Sequence, residues 1–81
     1  MTDYRKMWTD AAVKLLVGKK IKRVGYLLKD ETEELGWHHS TIAIELDDGT
    51  VIWPSRDDEG NDAGALFTTN NNLPTIPVIP A

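Results

Sequence analysis

Apolar residues recur at Tyr4, Met7, Trp8, Ala11, Ala12, Leu15 and Leu16, with Arg5, Lys6, Thr9, Asp10 and Lys14 between them. Steps of three and four place the first set on one stripe of a helix over about residues 3–17. Thr2 or Asp3 can accept from the free amides of its first turn, Lys14 suits its negative end, and Gly18 can stop it in the left-handed conformation. From Lys19 to Leu28 the period changes to two, the period of a strand, with one fault. Ile21 is out of phase with Val24, Tyr26 and Leu28, so a regular pleat cannot put all four on one face. A bulge near Lys22-Arg23 repairs the phase, and Gly25 eases the bend.

Asp30-Glu31-Thr32-Glu33-Glu34-Leu35-Gly36 suits one or two helical turns, capped at Asp30 and stopped at Gly36, with its carboxylates as a solvated face. Ile42, Ile44 and Leu46 then alternate with polar or small residues, Asp47-Asp48-Gly49-Thr50 carries the turn signal, and Val51-Ile52-Trp53 returns, which predicts a β-hairpin. Pro54 has no amide hydrogen to donate, so it ends the returning strand or places it at an edge. Ala65–Thr69 is a candidate fourth strand and Asn70-Asn71-Asn72 a loop. The tail from Leu73 has prolines at 74, 77 and 80, yet Ile76, Val78 and Ile79 ask for burial, which fits an extended segment along the domain edge. The fold class is therefore α+β, in one domain over residues 1–81. An N-terminal amphipathic helix packs on a small, curved, mainly antiparallel sheet of three to five strands over about 19–69, followed by the proline-bearing tail 73–81. A small open β-barrel with one helix is the alternative, because a bulge, Gly25 and Pro54 all bend strands.

Composition narrows the class. The chain has 81 residues, 41% hydrophobic and 27% charged, as in a folded domain of one modest core. With no cysteine, disulfides, zinc–thiolate sites and thiol chemistry are excluded, in keeping with a reducing cytoplasm. No apolar run approaches the roughly 20 residues of a membrane span, and the first residues do not resemble a signal peptide. The net charge of −4 conceals a division: residues 1–29 hold eight Lys/Arg against two acids, net +6, and residues 30–81 hold Arg56 against eleven acids, net −10. Either the two halves face each other in the fold, or the molecule is dipolar and docks a charged partner or a second copy of itself. Nucleic-acid binding through Lys19, Lys20, Lys22 and Arg23 is disfavoured by the acidic total.

The candidate working surface is the acidic connection after Trp53-Pro54: Ser55, Arg56, Asp57, Asp58, Glu59 and Asn61, with Trp53 and Trp37 nearby. Asp57, Glu59 and Asn61 alternate as ligands do in a calcium loop, but the sixth position is Asp62 where glycine is needed and the twelfth is Thr68 where a bidentate glutamate is needed, so no EF-hand is present. A structural role is simpler, with Arg56 forked onto a carboxylate and Asn61 bonded to its own backbone. His38 and His39 are adjacent on an extended segment, so their rings point to opposite faces and cannot easily share a metal. Ser40 or Ser55 beside a histidine lacks the strand–turn–helix elbow of a nucleophile. No catalytic, metal or cofactor site is assigned.

The run Leu35-Gly36-Trp37, Leu46-Asp47-Asp48-Gly49, Pro54-Ser55-Arg56-Asp57-Asp58-Glu59-Gly60-Asn61 and Gly64-Ala65-Leu66-Phe67 resembles a family of small uncharacterised bacterial proteins, over roughly residues 17–80. The resemblance implies a stand-alone bacterial protein and adds no reaction. Two functions compete. One is a non-enzymatic binding or accessory protein that uses the 55–64 loop and the tryptophans. The other is a small metal-dependent or hydrolytic enzyme that uses the Asp/Glu cluster with a histidine. A cytoplasmic location, a protein partner or a closed dimer, with the basic first strand facing an acidic segment of its neighbour, complete the expectations.

Overall fold

The computed structural model describes residues 3–55 and 64–79. Helix α1 (Tyr4–Leu16) is followed by strand β1 (Ile21–Tyr26), helix α2 (Lys29–Glu34) and strands β2 (Ile42–Leu46), β3 (Val51–Pro54), β4 (Leu66–Thr68) and β5 (Thr75–Ile76). The strands form one antiparallel sheet in the order β1-β2-β3-β4-β5. Each strand pairs with its neighbour in sequence, and the sheet stays open, with β1 and β5 as its edges, so the barrel alternative falls away.

Asp3 caps α1 through its carboxylate, which accepts from the Lys6 amide at 3.1 Å. Gly18, at φ +82°, turns the chain out of the helix. Along the predicted stripe Leu15 is buried and Trp8, Ala11, Ala12 and Leu16 are half-buried, but Tyr4 and Met7 are exposed. The C-terminal half of the helix makes the packing contact, and the first turn does not.

The expected bulge is present. The β1–β2 register shifts between Ile21 and Arg23, so that Ile21 lies opposite Leu46, Val24 opposite Ile44 and Tyr26 opposite Ile42. Partners across a ladder share a sheet face. One face therefore carries Ile21, Val24 and Tyr26 of β1, Ile42, Ile44 and Leu46 of β2, Ile52 of β3, Leu66 and Thr68 of β4, and Ile76 of β5. The opposite face carries Val51, Trp53 and Phe67.

Helix α2 begins one residue before the expected cap. Leu28 is its N-cap, and the backbone amide of Leu28 donates to the Glu31 carboxylate at 2.7 Å. Glu31 thus reaches back to the N-cap amide, in place of an Asp30 side chain reaching forward, and Gly36, at φ +74°, follows as the stop. Pro54 closes β3 opposite Leu66 of β4; the β2–β3 ladder has already ended at Ile44–Ile52, so no partner on that side asks for the missing hydrogen. The tail contributes β5, which pairs Ile76 with Leu66 and Thr75 with Phe67.

Leu15 and Leu46 are the buried apolar side chains among the described residues. Three threonines are buried with them, Thr32, Thr50 and Thr68. The Thr32 hydroxyl donates to the Lys29 carbonyl at 2.8 Å, and that of Thr68 donates to the Leu73 carbonyl while accepting from the Asn70 amide at 3.0 Å. The charged halves meet within the chain: Arg23 Nε lies 2.8 Å from Glu45, Lys22 Nζ 3.9 Å from the same carboxylate, and Lys19 Nζ 3.5 Å from Asp48. No helix among the described residues is long and apolar enough to cross a membrane.

Candidate functional site

Trp53 and Phe67 stand opposite each other on β3 and β4. Their rings meet edge to face, with centroids 5.9 Å apart and planes at 61°. Trp37 lies over Phe67 from the other side, stacked at 6.3 Å and 23°. Its position is set from α2, where the Trp37 amide donates to the Thr32 carbonyl at 3.0 Å and the buried Thr32 hydroxyl ties that carbonyl's own turn together. All three rings are half-buried and so keep part of their area toward solvent. Offset and edge contacts of this kind contribute about 0.5–1.5 kcal/mol per pair beyond area burial.

The Trp53 indole Nε1 is sealed from solvent and has no hydrogen-bond partner among the described residues. A buried donor left unpaired costs about 1–3 kcal/mol. The aromatic cluster thus holds one polar group that the described residues do not satisfy.

Two residues further on, the chain leaves the sheet for the acidic connection. Its ends are clamped: the Ser55 amide donates to the Ala65 carbonyl at 3.0 Å and the Ser55 hydroxyl to the same oxygen at 2.7 Å. The connection from Ser55 to Ala65 is therefore longer than the usual two to five residues of a hairpin. Of the predicted site residues, Trp37, Trp53 and Ser55 are placed together at its base. Arg56, Asp57, Asp58, Glu59 and Asn61 lie outside the described residues. Phe67, which joins the two tryptophans, was missed by sequence reasoning; its signal was its place two residues after Ala65, mirroring Trp53 two residues before Ser55.

His38 and His39 are exposed. Among the described residues no group of three or more His, Asp or Glu side chains is placed to hold a metal ion. At the far end of the sheet, Asp48 accepts from the Thr50 amide at 3.0 Å and faces Lys19. The hydrogen bond from Thr50, backed by the lysine's charge, holds the Asp48 carboxyl below its ordinary value. That carboxylate therefore serves the turn. A shallow groove of about 370 Å³ runs beside it, bounded by Lys14, Leu15, Asn70 and Leu73.

No family model, curated protein or solved structure matches this chain.

Proposed function

We propose that this is a non-enzymatic binding protein whose contact surface is the Trp37–Phe67–Trp53 cluster together with the acidic connection that starts at Ser55. The observation that carries the reading is the juxtaposition itself: a part-exposed aromatic stack sits at the clamped base of a long hairpin loop, and that loop holds four carboxylates and one guanidinium in residues 56–62. Aromatic area at the base of an acidic connection favours a partner segment that presents Lys or Arg beside apolar side chains, because a cation gains from both ring faces and carboxylates. The flanking clamp keeps the loop ends together before binding, which lowers the ordering cost that a partner must overcome.

The test is a heteronuclear NMR titration with short synthetic peptides that alternate Arg or Lys with Leu or aromatic residues. The three tryptophans give three indole N–H signals, and the account expects those of Trp53 and Trp37 to move, with the backbone amides of Ser55 and Phe67, while that of Trp8 stays still. An acidic peptide of the same apolar content should leave all of them unmoved. Shifts confined to α1, or none with either peptide at millimolar concentration, contradict the proposal.

A further inference from the structure

The β1 edge is the place where the fold leaves most unfinished. Ile21, Val24 and Tyr26 are 63%, 53% and 70% exposed, and Leu28, which follows the strand, is 65% exposed. Yet the bulge between Ile21 and Arg23 exists to bring that same row into phase on the face that carries the aliphatic core. Once in phase, these side chains can pair with apolar neighbours on the same face of a strand placed beside β1. Strand alternation adds a second point. The Leu27 amide donates inward to Thr41 at 3.0 Å, and Gly25 opposes Ala43 two residues earlier. The backbone groups of Val24 and Tyr26 therefore point away from β2, toward the open edge.

We propose that this edge is the seam of a symmetric dimer, in which the β1 strands of two copies pair antiparallel about an axis through Gly25 and join the two sheets into one.

Three observations select a second copy as the occupant. The first is exposure: Ile21, Val24, Tyr26 and Leu28 each turn more than half of their surface to solvent along one edge strand and its end, an apolar row of the kind that marks a contact between chains. The second is the asymmetry of the two edges. β5 is two residues long and flanked by Pro74 and Pro77, which have no amide hydrogen to offer. A sheet with one usable edge closes as an isologous pair and cannot extend as a fibre. The third is register. With Gly25 on the axis, Val24 lies opposite Tyr26 of the second copy, an aromatic against a β-branched side chain, and Arg23 lies opposite Leu27. Moving the axis to Arg23, a slide of four residues, instead sets Arg23 against Arg23, where like charges repel. The strand's two cations, Lys22 and Arg23, moreover share Glu45 of their own chain, so part of their charge is answered before two basic strands meet. The contact expected from charge alone, basic strand against a neighbour's acidic segment, is thereby replaced by an apolar seam.

Sedimentation equilibrium over a concentration series should give a species of twice 9.1 kDa that dissociates on dilution, and the exposed double variant Val24→Lys/Tyr26→Lys should stay folded and monomeric. Because the chain has no cysteine, a single one reports the register. At Gly25 the backbone φ is not positive and an added Cβ meets nothing within 4 Å, so Gly25→Cys is tolerated. Across the axis the two Cα atoms would lie about 4.5 Å apart, within reach of a disulfide. Under mild oxidation Gly25→Cys should cross-link at least about tenfold faster than Val17→Cys, an exposed position just after α1, through effective concentration. A monomer at millimolar concentration, a dimer that survives the double lysine variant, or equal cross-linking rates would each overturn the proposal.

Discussion

Thr68 shows how much of this small fold rests on single polar groups. Its hydroxyl is buried on β4, donates to the Leu73 carbonyl and accepts from the Asn70 amide, while its own amide donates to the Pro74 carbonyl at 2.9 Å. One side chain thereby fixes the 70–74 turn that returns the tail as β5. Thr68→Val keeps the shape and removes the hydroxyl, leaving two backbone groups unpaired. We expect a loss of about 1–3 kcal/mol, read as a lower urea midpoint with an unchanged slope, and raised hydrogen exchange at Leu73 and Ile76. An unchanged midpoint would show that water replaces the hydroxyl at no cost. The sequence could not reveal this role, because Thr68 looks like any strand threonine until the tail is seen to fold back on it. The Leu28 cap of α2 was hidden for a related reason: Asp30 has the better capping side chain, but Glu31 reaches back to the Leu28 amide and the cap falls two residues earlier.

At the scale of elements, patterns with a fixed period were legible and contacts set by distant chain were not. The Ile42–Ile44–Leu46 alternation, the Asp-Gly turn and the phase fault between Ile21 and Val24 each state a local geometric need, and the hairpin and bulge answer them. The overhang of Tyr4 and Met7 from the sheet has no local signal, because a stripe records which side of a helix is apolar and not how far the surface beneath it extends. The β2–β3 turn carries a prediction of its own. Asp48 is held below its usual 3.8 by the Thr50 amide, with Lys19 adding to the effect. A carboxyl with a lowered folded-state value stabilises the fold fully above its unfolded value, and that contribution disappears as pH falls through the folded one. Asp48→Asn keeps an oxygen for the Thr50 amide and removes the charge. The wild-type protein should exceed this variant in urea midpoint by a constant margin near neutrality, and the margin should shrink below about pH 4. A margin that does not change with pH would assign the effect to the turn geometry alone.

For the whole molecule, the chain builds one open sheet with an aliphatic face, an aromatic face and two unequal edges. The aromatic face holds Phe67 and Trp53, with Trp37 stacked on Phe67, at the base of the acidic connection that the sequence offers as a candidate working surface. Arg56, Asp57, Asp58, Glu59 and Asn61 of that connection lie outside the described residues, so the part proposed for them rests on charge. The free β1 edge was not legible, since strand order decides which strand is outermost and strand order is absent from any local pattern. Amide hydrogen exchange on β1 tests the account most directly. The strand order requires the Gly25 and Leu27 amides, which face β2, to be protected at every protein concentration. The seam requires those of Val24 and Tyr26 to exchange freely in dilute solution and to become protected as concentration rises. Protection of Val24 and Tyr26 that is independent of concentration would place another strand of the same chain outside β1, and free exchange of both at millimolar protein would leave that edge open and the molecule a monomer.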